Sequence, residues 1–208
     1  MIEFKCDSCG KTFTVPDEYA GRSARCKGCG AKVIVPMPAA TLLTDEAPKP
    51  AKIPMRVRRL RADAQAVASA FHDSRMIRVT PITGNPAEVY HVEFAVKGLE
   101  RGKDGKPKPR ESHKVEIQLT SEYPRVRPKC KMLTPIFHPN IDPATICVGD
   151  HWTAGERLAD LIIRIGQMIA YQEYNIRSPL DAQAAMWADL NKATLPIDPR
   201  DMRPAGME

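Results

Sequence analysis

From Val57 onward the apolar residues Leu60, Ala64, Val67 and Phe71 recur at helical spacing, which predicts an amphipathic helix reaching about Asp73. The period then changes. Tyr90, Val92 and Phe94 alternate with Val89, His91 and Glu93, and Val115, Ile117 and Leu119 alternate with Glu116 and Gln118. An alternation of two is that of half-buried strands. Strands are predicted over 76–81, 89–96, 114–119 and 129–133, separated by turn chemistry at Thr83-Gly-Asn-Pro86, at 98–109 and at Tyr123-Pro124. One helix followed by four strands in series predicts an α+β domain built on a four-stranded antiparallel meander.

Helical spacing returns at Leu158, Leu161, Ile162, Ile165, Met168 and Ile169, and Thr153-Ala-Gly-Glu156 just before it fits a capping box. Ser178-Pro179 offers an N-cap and a first-turn proline for a shorter helix to about Asn191, with Leu180, Ala184 and Trp187 facing inward. The chain from Pro196 is proline-rich and predicted to be irregular.

The first residues follow another logic. Lys11–Val15 and Ala31–Val35 read as short strands, each ending at a proline, and each follows a pair of cysteines. Cys6 and Cys9 are separated by two residues, as are Cys26 and Cys29, and sixteen residues divide the pairs. Two intervening residues let both thiolates of a tight turn point at one ion, and Gly10 and Gly30 give each turn its backbone freedom. This is four-cysteine zinc spacing. A segment this small lacks a sufficient core, and a structural zinc site supplies on the order of 10–16 kcal/mol. The expected organisation is a zinc ribbon over 1–36, a stiff linker over 37–54 with four prolines, and a second domain over 55–208.

Composition narrows the function. The 208 residues are 43% hydrophobic and 27% charged, with a formal net charge of +6. No apolar run reaches the roughly eighteen residues of a membrane span, and Met1–Cys6 lacks the basic and apolar regions of a secretion signal. A cytoplasmic protein is expected, which favours zinc over two disulfides. The net charge raises nucleic acid as a partner. The aromatics of the ribbon, Phe4, Phe13 and Tyr19, are too few to make a base-stacking surface and fit a tiny core better.

The chemistry concentrates in the irregular stretch 134–152, which holds His138-Pro139-Asn140, Ile146-Cys147, Asp150, His151 and Trp152. Long irregular runs inside a compact domain are usually functional. Cys130 falls mid-strand and reads as a core thiol. Cys147 lies in a loop upstream of a helix, where reactive thiols are often placed, and is nominated as a nucleophile.

The order helix, four-stranded meander, His-Pro-Asn, cysteine, tryptophan, helix resembles the ubiquitin-conjugating enzymes. Tyr123-Pro124, Pro128, His138-Pro139-Asn140 and Ile146-Cys147 occur in the family's order, and Asn175-Ile-Arg-Ser-Pro179-Leu180 is similar to its gate opposite the cysteine. The resemblance covers about 55–195 and implies that Cys147 carries a ubiquitin-like protein as a thioester. That protein would come from an activating enzyme and pass to an amine, usually lysine, of a target. It further implies that Asn140 organises the loop and stabilises the oxyanion, that His138 holds the turn, and that Asp150 stands near the family's acidic position after the cysteine. No metal is required at this site.

In the resembling family the activating enzyme docks on the first helix, which here carries Arg56, Arg58, Arg59 and Arg61. The chain departs from the family pattern at Arg177-Ser178, where an acidic residue is frequent. A single helix after the gate points to a truncated, prokaryotic form. Arg101, Lys103, Lys106, Lys108 and Arg110, interspersed with glycine and proline, read as a mobile surface loop. The alternatives are a cysteine hydrolase using His138 or His151 as base, a catalytically inert ubiquitin-like-binding module, and a zinc-ribbon nucleic-acid binder. Nucleic acid is the least expected partner, because the charge sits on the first helix and one loop.

Overall fold

The computed structural model describes residues 1–37, 53–148 and 152–204. Two compact units divide at residues 52 and 53, and most of the proline-rich 37–54 segment lies outside the described residues.

The first unit is two hairpins. β1 (Ile2–Lys5) pairs antiparallel with β2 (Thr12–Val15), and β3 (Ser23–Arg25) with β4 (Lys32–Ile34). The apolar pattern predicted only the second strand of each pair. β1 and β3 are short and carry charges, so they became visible only through their partners. The turns are near copies of one another. Gly10 N–H donates to Cys6 O and Gly30 N–H to Cys26 O, both at 2.8 Å, with φ of 71° and 76°. A side chain at either glycine would be strained there.

The second unit has α1 (Met55–Phe71), then a four-stranded sheet in the order β10-β9-β6-β5. Its strands are β5 (Ile77–Gly84), β6 (Ala87–Phe94), β9 (His113–Gln118) and β10 (Lys129–Met132), all antiparallel, as the alternating pattern predicts. Between β6 and β9 the expected loop is in fact a hairpin of β7 (Gly98–Arg101) and β8 (Pro107–Arg110). Alternation is absent from Gly-Leu-Glu-Arg and Pro-Lys-Pro-Arg, and the hairpin forms because Leu99 is buried beneath it.

α2 (Leu158–Ile169) buries nine of its twelve residues. Each fully buried isoleucine or leucine contributes about 1.5–3 kcal/mol, so this helix is the centre of the core. The Thr153/Glu156 capping box does not form. Glu156 pairs with Arg164 at 2.8 Å, the helix begins at Leu158, and the Leu158 N–H donates to Asp63 Oδ1 of α1 at 3.3 Å. α3 (Ala182–Leu190) likewise starts later than Ser178-Pro179 suggests: Asp181 is the N-cap, accepting from Ala184 N–H at 3.0 Å, and Leu180 is exposed. Both helices start where a tertiary partner or a better cap satisfies the free N–H groups.

The tail is irregular, as expected, yet it is packed. Asp198 is 1% exposed, accepts from Lys97 N–H at 2.9 Å and pairs with Arg200 at 2.5 Å, while Met202 is buried. Met202 Sδ lies 2.6 Å and Phe94 Cε1 3.0 Å from where a Cβ on Gly166 would stand. Gly166→Val should therefore lower unfolding stability by about 2–3 kcal/mol through overpacking, read from urea denaturation followed by tryptophan fluorescence.

Candidate active site

Cys147 is positioned by a chain of backbone bonds that starts in the sheet. Beyond β10, Phe137 N–H donates to Leu99 O at 2.8 Å, fixing the entry to the His-Pro-Asn turn. Asp142 closes a tight turn by accepting from Ala144 and Thr145 N–H at 2.7 and 2.8 Å, a habit of short acidic side chains. The returning segment is then pinned twice: Ile146 N–H to Cys130 O at 3.1 Å, and Cys147 N–H to Asn140 O at 3.0 Å. Ile146 and Val148 are buried and the half-buried Cys147 lies between them.

Asn140 is 5% exposed and all its side-chain capacity faces the 175–180 loop. Its Nδ2 donates to Asn175 O at 2.7 Å and to Ser178 O at 3.3 Å, and its Oδ1 accepts from Asn175 N–H at 2.6 Å. Pro139 O accepts from Leu180 and Asp181 N–H at 2.7 and 3.1 Å. The turn and the gate segment are thus one braced unit. Both Nδ2 protons of Asn140 are committed to backbone carbonyls in this arrangement.

His138 is fully buried beneath Tyr171, ring centroids 4.8 Å apart. Its Nδ1 accepts from Asn140 N–H at 3.0 Å, and burial pushes its pKa from 6.5 down to about 3. The ring is neutral and holds the turn. Burial pushes the Cys130 thiol up to about 12, as befits a packed residue of β10. Asp150 and His151 lie outside the described residues.

Residues 64–195 match the family model described as ubiquitin-conjugating enzyme. The chain belongs to the ubiquitin-conjugating enzyme family. Among curated relatives, "Ubiquitin-conjugating enzyme E2 21" of Caenorhabditis elegans is 32% identical over 98 residues, 45% of this chain and 44% of the relative. The chain therefore spans less than half the length of that relative. A solved structure described as "Novel Ubiquitin-Conjugating Enzyme" is similar with a TM-score of 0.49 at 19% identity, covering 68% of this chain and 94% of that one. The α+β architecture of the second unit is the ubiquitin-conjugating fold.

On the first helix of this family member, the four arginines divide. Arg56 pairs with Glu88 at 2.6 Å and donates to Thr120 O at 2.9 Å. Arg59 pairs with Asp63 at 2.6 Å, donates to Ala154 O at 2.6 Å and to Glu156 O, and lies 5.4 Å from the Tyr123 ring centre. Both are engaged inside the fold, whereas Arg58 and Arg61 are exposed.

Asp63 is the residue that pattern reading missed. It is 4% exposed within the apolar stripe of α1, where Ala64 was expected. Its carboxylate accepts from Tyr123 OH at 2.5 Å and Leu158 N–H at 3.3 Å in addition to Arg59. Trp152 packs on Tyr123, ring centroids 5.7 Å apart, and donates Nε1–H to Pro124 O at 3.0 Å. The available signal was an acid placed between Leu60 and Val67 with Arg59 four residues before it.

In the first unit, one sulfur from each of Cys6, Cys9, Cys26 and Cys29 lies within 4.8 Å of the others. Cys6 and Cys29 sulfurs are 3.8 Å apart and those of Cys9 and Cys26 3.6 Å, too far for a disulfide. A Zn–S bond of about 2.3 Å sets a tetrahedral edge of about 3.8 Å, so the group has the size and chemistry to hold a metal ion. Among the described residues no helix is long and apolar enough to cross a membrane.

Two buried neutral histidines dictate a pH dependence. His113, buried in β9, has its pKa lowered to about 4 by burial, and His138 stands at about 3. The unfolded chain takes up these protons near 6.5, so their contribution is complete above that pH and is lost as pH falls toward the folded values. Unfolding stability of the second unit should drop by about 2 kcal/mol per histidine between pH 7 and pH 5. Urea titrations at the two pH values measure it, and His113→Gln should flatten the slope.

Proposed function

We propose that Cys147 accepts the C-terminal acyl group of a ubiquitin-like protein from an activating enzyme and passes it to an amine, usually lysine, of a target protein. The observation that carries this reading is a half-buried thiol whose backbone is tied to Asn140, while the Asn140 side chain holds the gate segment. The Cys147 thiolate attacks the incoming thioester carbonyl and the activating enzyme's thiol leaves. The target amine then attacks the new thioester, an amide forms, the amine loses a proton and the Cys147 thiol is released. A thioester is already activated, so positioning and desolvation supply much of the rate.

Within this proposal Asn140 is first a brace. Its Nδ2 reaches an oxyanion only by giving up Ser178 O, the longer of its two bonds. His138 holds the turn and does not act as base, because its Nδ1 lone pair is spent on Asn140 N–H; this weighs against the hydrolase alternative. Arg58 and Arg61 are the arginines of α1 assigned to the activating enzyme, with Arg56 and Arg59 fixing the surface that presents them. The four cysteines of the first unit bind one structural zinc ion, and the protein acts in the cytoplasm.

With its cognate activating enzyme, ubiquitin-like protein and ATP, the protein should form an adduct that reductant releases. Cys147→Ser should give a reductant-resistant adduct or none; a reductant-sensitive adduct that survives the substitution would sink the assignment. Protein purified without chelator should contain one zinc per chain by atomic emission, and Cys6→Ser/Cys26→Ser should lose it while residues 1–37 become protease-sensitive.

A further inference from the structure

The β7–β8 hairpin, a mobile loop by sequence, is anchored beside the gate. Leu99 is buried with Phe137 and Tyr171, so hairpin and His-Pro-Asn turn share a core. Arg101 pairs with Asp181, donates to Gln183 Oε1 at 2.7 Å and lies 4.9 Å from the Phe137 ring centre. Asp181 directly follows the gate segment and is itself bonded to Pro139 O. Arg110 pairs with Glu100 at 2.6 Å and donates to Ser112 O at 2.5 Å. The tip is wound tight as well: Gly102 N–H donates to Lys106 O at 2.8 Å, and Asp104 Oδ1 accepts from Lys106 N–H at 3.3 Å.

With both arginines engaged in holding the hairpin, Lys103, Lys106 and Lys108 remain exposed on it, beside a single exposed acid, Asp104. Arg177 is a further exposed cation, in the gate segment that runs on to Asp181, the partner of Arg101. Pro107 and Pro109 leave β8 without two backbone donors, which blunts it as a template for an added strand, so recognition here rests on side-chain charge. Residues 98–110 contain no aromatic side chain on which a base could stack, which favours a protein partner over a nucleic acid. α1, where the activating enzyme is expected, packs on α2, β5 and β6, elements other than this hairpin.

We propose that the lysine face of the β7–β8 hairpin, with Arg177, docks an acidic segment of the target protein and so brings its acceptor amine to the gate. The acceptor step rests on the proposed function of Cys147; the docking does not. The observations favour this because the hairpin, anchored to Asp181 through Arg101, carries exposed lysines complementary to acidic residues flanking the accepting lysine. Charge complementarity of this kind acts on encounter and register more than on the chemical step.

The test uses the full chain and a fluorescein-labelled peptide with one lysine flanked by four glutamates, against the same peptide with glutamines. Anisotropy should show the acidic peptide binding more tightly than the neutral one, with affinity falling as salt is raised. Lys103→Glu/Lys106→Glu/Lys108→Glu should weaken it by about tenfold, the sum of three modest surface pairs and their reversal, and should leave thioester formation from the activating enzyme unchanged. Discharge of the preformed thioester onto the acidic peptide should show a raised KM in this variant with kcat retained. Equal binding of the two peptides, or of the acidic peptide to both proteins, overturns the proposal. So does a single-stranded oligonucleotide of the same charge that binds more tightly than the peptide and loses affinity in the variant. A wild-type chain that forms no thioester overturns the Cys147 reading alone, and the anisotropy arm still decides the docking.

Discussion

The side chain of Asn140 is the constraint on which the site depends. A buried amide must satisfy its donors and acceptor, and here all of them are satisfied by the backbone of one segment, Asn175 and Ser178. Because the Asn140 backbone carbonyl simultaneously accepts from Cys147, the residue links the cysteine on one side to the gate on the other. Removing the side chain would leave two carbonyls and an N–H without partners, each costing about 1–3 kcal/mol if it stays buried. His138 belongs to the same construction. Kept neutral by burial and bonded to Asn140 N–H, it fixes the turn from below.

Asp63 plays a corresponding part where α1, the Tyr-Pro turn and α2 meet. It gathers the Arg59 guanidinium, the Tyr123 hydroxyl and the first N–H of α2, so α1, the Tyr-Pro turn and the core helix meet at one carboxylate. A buried charge persists only when paired and fully hydrogen-bonded, and this one is. Arg59 extends the network to the carbonyls of Ala154 and Glu156, on the segment that leads from the site into α2.

The first unit is held together differently. Its hairpins bury few side chains, notably Ile2, Val35 and the inner cysteines Cys6 and Cys26, so the apolar contribution is small. The two knuckles repeat the same backbone bond at the same glycine position, which sets four sulfurs in the space of one metal ion. Spacing alone made this legible, since the geometry of each pair is local and its only long-range requirement is that the pairs meet.

What the sequence determined by itself was whatever depends on near neighbours. The order of the main elements followed from hydrophobic periods of two and of helical length. The cysteine pairs followed from a two-residue turn, and the His-Pro-Asn and cysteine positions from motif order. The tertiary structure decided the rest. Glu156 turned to Arg164 instead of capping its helix, Asp63 took that place from far along the chain, and Arg56 and Arg59 turned inward while Arg58 and Arg61 stayed exposed. The β7–β8 segment, polar and without alternation, became ordered because Leu99 and Arg101 found Phe137 and Asp181. The reason is the same in each case. A polar side chain goes where its hydrogen bonds and charge are best satisfied, and the residues that satisfy them are neighbours only after the chain has folded.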